Sequence, residues 1–314
     1  MLFLLYQNNF MLFHKYILSF IAVILLTFNS FSITILIDPG HGGKDPGHLS
    51  TIKGLMTESQ INLLISKKLG HYLEHNLSNV KVLYTRTDDT YPSLDKRVLM
   101  ANSKKVDYML SIHCNGSENS AAYGTETHIH GFSSKSSYKL AQLIEKQFKN
   151  RAGRKSRGIK TVADIGHSLQ ILKFTKMPTV LIECGFLTHT SEANYLNSAY
   201  GQEIIASAIF RACRTFLKQK HPKVNFSKST KKEKITINDV TYKVQLMSSI
   251  DPLKIDIQEF KRLGFDVERI KVNSKSMYKY KYFIGPFDTK KEAKKAQKAV
   301  QSKGYRDAYI IQFE

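Results

Sequence analysis

Cysteine is scarce in this chain, with three residues among 314: Cys114, Cys184 and Cys213. So few cysteines exclude a disulfide-built scaffold, and their spacing does not match a zinc finger. Buried free thiols are the simplest interpretation. A bridge between Cys114 and Cys184 in an oxidising compartment stays open. No internal repeat is visible in the sequence.

Acidic residues are also few. The chain has 26 Asp and Glu against 47 Lys and Arg, which gives a formal net charge of +21. Such an excess favours a polyanionic partner, namely nucleic acid, an anionic membrane surface or an acidic polymer such as a cell wall. Charge alone does not choose among these three.

Long hydrophobic runs are lacking except near the N-terminus. The segment has a basic start at His14 and Lys15, an apolar core over Ile17–Phe28, and small residues suited to cleavage at Ser30 and Ser32. An apolar core of about twelve residues is typical of a signal peptide and short for a membrane span. We therefore predict a signal peptide over residues 1–32, an exported protein, and no stable membrane span after processing. Met11 is an alternative start of the protein. If the segment is not cleaved, it would form a membrane anchor or a buried helix instead. No cysteine follows the apolar core at a position suited to a lipid anchor.

Strand and helix patterns alternate over residues 33–217. The apolar, β-branched runs that predict buried strands are Ile33–Ile37, Val80–Thr85, Tyr108–His113 and Thr179–Glu183. The stretches with helical periodicity are Thr57–Asn76, Ser93–Ser103, Ser136–Asn150 and Tyr200–Leu217. Thr57 and Gln60 form a capping-box pattern at the start of the first of these. This order predicts an α/β domain with a mainly parallel sheet and helices on both faces. In such sheets the functional crevice lies beyond the carboxyl ends of the strands.

The chain then becomes polar and basic over 218–238, which predicts a linker. Residues 239–314 form a second unit in the order strand, helix, strand, strand, helix, strand. Its predicted elements are Val240–Met247, Ile255–Leu263, Val267–Val272, Lys279–Ile284, Lys290–Lys303 and Ala308–Phe313. This order predicts a small ferredoxin-like α+β domain with four antiparallel strands backed by two helices.

Four chemically active residues fall near the predicted crevice. His41 follows the first strand, Glu58 opens the first helix, and His113 and Glu183 end two later strands. Two imidazoles and a carboxylate, with a position left for water, are a usual catalytic zinc set, and a second carboxylate can act as a general base. A single His after a strand is often structural, and a Glu in a first turn often serves the helix dipole. Glu183, however, closes an apolar run, where an ionised carboxylate is costly without a cation or hydrogen bonds.

The stretches around these residues resemble the zinc-dependent N-acetylmuramoyl-L-alanine amidases of the amidase 3 type. The matching motifs, in family order, are IDPGHGGKDPG, TESQINLLISKKL, YTRTDD, LDKRVLMAN, DYMLSIHCN, GTETHIHG and KMPTVLIECGFLTH. The resemblance implies one Zn²⁺ held by His41, Glu58 and His113, with Glu183 as the catalytic carboxylate. Hydrolysis of the bond between N-acetylmuramic acid and L-alanine of the peptidoglycan stem peptide is the implied reaction.

Other residues in these motifs are less defined. Asp38 and Asp45 match positions beside the metal loop. Two roles remain open for them, namely supporting the metal ligands and shaping the loop. Arg97 matches a position that we interpret as scaffold. Asn115 is a candidate substrate contact.

Residues 240–314 resemble the SPOR domain, whose family binds peptidoglycan glycan that lacks stem peptides. The matching pieces are YKVQLMSS, YFIGPFDTKKEAKKAQKAV and GYRDAYIIQF. Candidate glycan contacts are Gln245 and Ser248 in the first strand, with Tyr280 and Tyr282 in the third. Period-two spacing puts the two tyrosines on one face, so core packing is the alternative for both. The resemblance implies a role in cell-wall remodelling and daughter-cell separation, in the periplasm or cell envelope at the division septum.

Three rival functions compete with this one. A zinc aminopeptidase of related architecture often holds two metals, whereas the motifs here supply one site. An RNA-binding protein would explain the charge, but YKYKYFIGPF lacks the aromatic and glycine pattern of an RNA recognition motif, so no nucleic-acid partner is expected. A non-catalytic wall-binding protein would not need the four active residues. Finally, Gly158–Pro178 leaves little room for a long blocking helix, so no activator protein is expected to be required.

Overall fold

The computed structural model describes residues 32–227, 241–272 and 278–313. The predicted signal peptide therefore lies outside the described residues, apart from Ser32, and so does most of the predicted linker. Within the described part of the chain, no helix combines the length and the apolar character needed to cross a membrane.

The first domain is built on a six-stranded sheet in the order β2-β1-β3-β6-β4-β5. Its strands are β1 Ile33–Pro39, β2 Val80–Tyr84, β3 Tyr108–Asn115, β4 Thr125–His128, β5 Ser156–Lys160 and β6 Thr179–Phe186. All neighbouring strands are parallel except β4 and β6, which run antiparallel. The predicted mainly parallel sheet is confirmed.

Helices cover both faces of this sheet. Their bounds are α1 Glu58–Asn76, α2 Leu94–Ser103, α3 Lys135–Asn150, α4 Val162–Ile165, α5 Gln170–Phe174, α6 Thr190–Asn197 and α7 Ala199–Lys220. Apolar residues of α1, α3 and α7 form the larger core with one face of the sheet. Residues of α2 and α5 form a smaller core around Leu36 and Met109 on the other face. Helix α1 begins with the predicted capping box, in which Thr57 and Gln60 cap each other's backbone.

Strands β4 and β5 were not predicted because their side chains are mostly polar. Thr125, Thr127 and Ser156 donate hydrogen bonds to Glu145 of α3, with oxygen–oxygen distances of 3.0, 2.7 and 2.5 Å. These bonds allow polar residues to be buried in the sheet without the usual desolvation cost. Burial raises the pKa of Glu145, although the three hydroxyl donors oppose that shift.

The boundary between the first domain and the linker lies later than predicted. Helix α7 continues to Lys220, and Phe226 is buried in the larger core. Ser227 pairs with Leu77 through an isolated β-bridge. The folded first domain therefore includes residues 218–227, which the sequence predicts to be linker.

The second domain has a four-stranded antiparallel sheet in the order β10-β7-β9-β8. Its elements are β7 Thr241–Ser249, α8 Gln258–Lys261, β8 Val267–Lys271, β9 Tyr280–Phe287, α9 Lys290–Ser302 and β10 Tyr309–Phe313. This arrangement confirms the predicted ferredoxin-like unit, although α8 is shorter than the predicted Ile255–Leu263 helix.

Candidate metal centre

A cluster of three potential metal ligands lies where β1, β3 and α1 meet. His41 lies just beyond the carboxyl end of β1, Glu58 is the first residue of α1, and His113 lies near the end of β3. Each offers one ligand atom, and these atoms all lie within 4.8 Å of one another. The fold therefore brings the three predicted residues, from separate elements, together at one point.

Glu58 is at the centre of this group. Its Oε1 lies 3.0 Å from His41 Nε2 and 3.1 Å from His113 Nδ1. Atoms held at about 2.0–2.2 Å from a tetrahedral zinc ion lie about 3.3–3.6 Å apart. The two separations are a few tenths of an ångström shorter than this, and all three ligand atoms lie within 4.8 Å of one another, so small side-chain shifts would let them share one ion. Burial alone would raise the pKa of Glu58, but hydrogen bonds and charge from His113 and His41 lower it below its usual range.

Backbone and amide donors fix the Glu58 carboxylate. The amide N–H groups of Cys114 and His48 donate to Oε1 and Oε2 at 3.0 and 2.8 Å. Asn62, one turn along α1, donates to Oε1 at 3.3 Å and is fully buried. Sequence reasoning missed Asn62. Its position four residues after Glu58, on the same side of α1, was the available signal.

His41 is held in an uncommon conformation. Its φ is 62°, in the left-handed region that costs non-glycine residues free energy. Asp45 Oδ2 lies 2.8 Å from His41 Nδ1, and Arg97 Nη2 donates to the His41 carbonyl at 2.7 Å. Burial opposes the charged form of His41, yet contacts with Glu58 and Asp45 outweigh it and raise its pKa. Asp45 therefore makes contacts of both kinds left open for it: its Oδ2 orients the His41 ring, and its Oδ1 accepts from the Gly47 amide at 3.0 Å and so shapes the loop.

Arg97 and Asp38 form a buried pair that holds the backbone of the loop bearing His41. The buried Asp38 Oδ1 accepts from Arg97 Nη1 at 2.6 Å, and Thr85 and Ser111 donate to the same carboxylate. Arg97 also donates to the Pro39 carbonyl at 2.8 Å. The structure places Asp38 in this buried network rather than at the metal ligands.

Glu183 stands beside the cluster. It pairs with His113 on β3 and, on its other side, with Glu126 on β4. Glu183 Oε2 is buried and has no hydrogen-bond partner among the described residues. Burial, followed by the charges of Glu58 and Glu126, raises the pKa of Glu183 well above its usual value. Glu126 itself accepts a hydrogen bond from Arg157 Nε, and its Oε2 lies 3.0 Å from His128 Nε2.

Two further predictions concern residues close to this centre. Asn115 ends β3 and its Oδ1 accepts from the Gly116 amide at 2.8 Å, so one side-chain acceptor is already used. Cys114 and Cys184 are neighbouring buried free thiols, and Cys213 is also free and buried. Burial raises the pKa of Cys114 well above its usual value. The structure therefore has thiols, and no bridge, at Cys114 and Cys184.

The four predicted glycan contacts do not share a surface. Gln245 and Ser248 line a cleft, and Gln245 Nε2 donates to Ser248 Oγ at 3.0 Å. Tyr282 is fully buried in the core, where its hydroxyl accepts from the Leu253 amide at 2.6 Å. The prediction of Tyr282 as a glycan contact is therefore wrong, because the face of β9 that bears Tyr282 meets the helices. The half-buried Tyr280 packs on the same core and lies 5.7 Å from the Arg269 guanidinium.

A mainly parallel sheet with two histidines and a carboxylate beyond its carboxyl ends, and a second, half-buried carboxylate beside them, is an arrangement typical of hydrolases that use a metal ion. The family comparison agrees. Residues 35–215 match the model of N-acetylmuramoyl-L-alanine amidase (Amidase_3), and residues 238–312 match that of the SPOR domain. The chain belongs to the Amidase_3 family and carries a SPOR domain.

Relatives match the first domain. The amidase LytC of Bacillus subtilis is 37% identical over 177 residues, which cover 56% of this chain and 34% of LytC. The uncharacterized B. subtilis protein YqiI is 33% identical, over 59% of this chain and 85% of YqiI. The chain thus spans about a third of the length of LytC.

Solved structures agree with these sequence matches. An N-acetylmuramoyl-L-alanine amidase from Clostridium difficile 630 is 34% identical, with a TM-score of 0.57, over 60% of this chain and 99% of that one. The CwlD amidase from Clostridioides difficile, solved in complex with the GerS lipoprotein, is 31% identical, with a TM-score of 0.55, over 60% of this chain and all of CwlD.

Proposed function

We propose that this protein hydrolyses the amide bond between N-acetylmuramic acid and L-alanine in peptidoglycan, with one zinc ion and Glu183 as the general base. The position of Glu183 carries the proposal. It is a half-buried carboxylate whose Oε2 is buried and unpaired, and it lies on the strand next to that of His113. A purely structural Glu would not be left in this state, because an unpaired buried polar group is costly. Membership of the Amidase_3 family supports the choice of substrate.

His41, Glu58 and His113 would hold the zinc ion, and the donor set and separations described above fit it. When bound, zinc supplies a Lewis acid for the amide carbonyl and lowers the pKa of water. Asp45 and Arg97 keep His41 oriented, while Asn62 and the amides of Cys114 and His48 keep Glu58 oriented.

Glu183 moves the proton. Its carboxylate accepts a proton from the attacking water and then gives it to the nitrogen of L-alanine as the amide C–N bond breaks. The products are a lactyl carboxylate on the glycan and a peptide with a free amino group. The raised pKa of Glu183 suits this double role, because a base of ordinary carboxylate pKa would hold the proton too weakly.

The cell envelope is the proposed site of action. A signal peptide over 1–32 would export the protein to the periplasm, and the SPOR domain would direct it to peptide-free glycan at the division septum. The positive charge of +21 supports binding to an anionic wall polymer. This placement implies a role in wall remodelling and daughter-cell separation, with Gln245 and Ser248 as glycan contacts.

We also propose that no activator protein is required. Residues 156–178 contain β5 and two helices of four and five residues, so this described segment holds no long helix of the kind needed to plug the site. The similar CwlD amidase was solved in complex with the GerS lipoprotein, so stimulation by a partner protein is the alternative to test. Strong stimulation of the purified protein by a periplasmic partner, from a negligible basal rate, would contradict this proposal.

Digestion of purified sacculi tests the proposed reaction. The purified protein should release stem peptides whose N-terminal residue is L-alanine, and chelation should abolish the release until zinc is added back. Release of single amino acids would instead indicate an aminopeptidase. Full activity in a verified metal-free sample would contradict the zinc mechanism, and binding without release would indicate a wall-binding protein.

A further inference from the structure

Strands β4 and β5 place a pair of opposite charges beside the proposed general base. The threonines on either side of Glu126 and the serine before Arg157 donate to Glu145 of α3, on one face of the sheet. Because successive side chains of a strand point to opposite faces, Glu126 and Arg157 project from the other face. Glu126 lies directly opposite Glu183 in the antiparallel pair of β4 and β6, so these two carboxylates share that face.

Three contacts fix the Arg157 side chain. Its Nε donates to Glu126 Oε1, and its guanidinium lies 5.0 Å from the centroid of the Phe186 ring. Its Cγ and Cδ pack over Gly124, where an added Cβ atom would lie 3.2 and 3.3 Å from them. A side chain that the protein already orients loses little rotamer freedom when it binds a ligand.

The outer edge of this guanidinium is free. Neither Nη atom of Arg157 has a hydrogen-bond partner within the described ranges, and the side chain is 35% exposed. Glu126, by contrast, is buried, and its second oxygen faces His128 Nε2. Arg157 therefore presents two N–H groups to solvent in the planar arrangement that binds a carboxylate through two parallel hydrogen bonds.

The proposed reaction sets the direction of the bound stem peptide. Its amide carbonyl belongs at the ligand cluster of β1, β3 and α1, and its leaving nitrogen takes a proton from Glu183 on β6. A chain that passes from β3 to β6 continues towards β4. Neighbouring strands lie about 4.8 Å apart and an extended peptide advances about 3.4 Å per residue, so the residue after L-alanine reaches β4. Arg157 thus faces the peptide part of the substrate, not the sugar.

We infer that Arg157 is a specificity residue, which binds a carboxylate on the stem-peptide residue that follows L-alanine. The inference rests on the proposed function. Both Nη groups donate to this carboxylate, while Nε stays with Glu126. A stem peptide whose carboxyl group is amidated at this position lacks the charge, so the enzyme prefers the acidic peptide to the amidated one. Arg157 acts in substrate binding and takes no part in proton transfer.

Two soluble muropeptides test the inference on the processed full-length chain loaded with zinc. Both are N-acetylmuramoyl-L-alanyl-D-glutamate with the γ-carboxyl group capped as a methylamide. The α-carboxyl group is free in one and a carboxamide in the other. The free acid should have a kcat/KM about three- to tenfold higher, as expected for an ion pair at a partly exposed position. The difference should lie in KM, because the contact is made before and during the reaction alike, and it should shrink as salt is added.

Variants of Arg157 locate the effect. Arg157→Gln should raise the KM for the acid to that for the amide and leave hydrolysis of the amide unchanged. The amide is thus an internal control, because a variant that disturbed Glu126 or failed to fold would lose activity on both substrates. Arg157→Lys keeps the charge without the planar fork and should retain part of the preference.

Arg214→Gln is the matched control. Arg214 is also exposed and lies 5.5 Å from a phenylalanine ring, that of Phe210, but its helix α7 packs on the opposite face of the sheet. Equal KM values for the two substrates in the unmodified protein, or an unchanged preference in Arg157→Gln, would overturn the inference. An equal loss on both substrates in a folded Arg157→Gln would also overturn it, because Arg157 would then be a structural partner of Glu126.

Equilibrium binding separates this outcome from that of the proposed function. The affinities of the metal-free protein for the two muropeptides are measured without turnover. A chain that binds the acid more tightly through Arg157, but does not cleave it when loaded with zinc, would contradict only the amidase proposal. A chain that cleaves both muropeptides with equal KM would contradict only the role of Arg157.

Discussion

At the scale of single residues, two carboxylates in the same site have opposite environments. Glu58 is held by imidazoles and N–H donors, which lower its pKa, whereas Glu183 has a buried oxygen without a donor among the described residues and a raised pKa. One environment favours a permanently charged metal ligand, and the other favours a group that takes up and returns a proton.

The first prediction separates these roles. Glu183→Gln should keep bound zinc but lower turnover by about 10²- to 10⁴-fold, because proton transfer is lost while the ligands remain. His41→Ala should lose the metal itself. Metal analysis and stem-peptide release on the same preparations measure both effects. Loss of zinc from Glu183→Gln would show that Glu183 is a ligand.

The second prediction concerns the buried Asp38–Arg97 pair. Burial would raise the pKa of Asp38, but the charge of Arg97 and hydrogen bonds from Thr85, Ser111 and Arg97 hold that pKa below its usual value. The folded state therefore releases this proton more readily than the unfolded state. The pair's stabilisation is present above about pH 4 and is lost as pH falls through the folded pKa.

Denaturant unfolding of the metal-free protein checks this sign. Asp38→Asn should lower the free energy of unfolding at pH 7 by about 3–5 kcal/mol, because Arg97 keeps a buried charge without a partner. Thr85→Val, which removes one donor to Asp38, should cost about 1 kcal/mol. The loss of stability below pH 4 should be steeper in the unmodified protein than in Asp38→Asn. If the free energy of unfolding of the two proteins fell in parallel below pH 4, Asp38 would not be the group responsible for the loss.

At the scale of elements, the site depends on how closely the end of β1 approaches β3. Gly40 follows β1, and a Cβ atom built there would lie 2.3 Å from the His113 ring. That ring is a proposed metal ligand packed into the site, so it cannot move away without leaving its place beside Glu58. Glycine is required here for close approach rather than for an unusual φ.

The third prediction follows from this contact. Gly40→Ala should displace His113 and weaken zinc affinity by at least about tenfold, since altered support of a ligand typically has effects of 10- to 100-fold. Gly131→Ala is the control, because a Cβ atom added at Gly131 would have nothing within 4 Å and its φ is not positive. Zinc titration against a competing chelator gives the affinities. Equal affinity in the two variants would show that the loop adjusts freely.

At the scale of the whole molecule, the SPOR domain contacts the helical layer of the catalytic domain. Tyr72 of α1 lies 5.4 Å from Tyr278, and Tyr200 of α7 lies 6.2 Å from Phe260, measured between ring centroids. The residues proposed to hold zinc and move the proton all belong to the catalytic domain. The second domain should therefore affect stability and attachment more than chemistry.

The fourth prediction uses a truncation after Ser227, which keeps the buried Phe226 that a cut after Lys220 would remove. The shortened protein should hydrolyse small soluble muropeptides within about twofold of the full chain and bind sacculi more weakly, because a tethered module acts through effective concentration. It should also melt at a lower temperature, since Tyr72, Tyr200 and Lys68 lose partners. Loss of small-substrate turnover in a folded truncation would place part of the SPOR domain in the active site.

The sequence by itself determined the local features. Apolar runs placed four strands of the first sheet, the Thr57 capping box placed the start of α1, and the motifs marked His41, Glu58, His113 and Glu183. These features depend on short-range periodicity and on residue types, which a single chain displays directly. The same periodicity failed for β4 and β5, because their burial depends on hydrogen bonds with a helix that lies elsewhere in the sequence.

Only the tertiary structure decided how distant residues meet. The contact of Asn62 with Glu58, the Asp38–Arg97 pair and the placement of Tyr282 in the core depend on which elements pack together. A cleft between the domains joins residues more than 60 positions apart, such as Arg214 and Lys281. No local pattern encodes such a pairing, because it arises from the packing of two separately patterned domains.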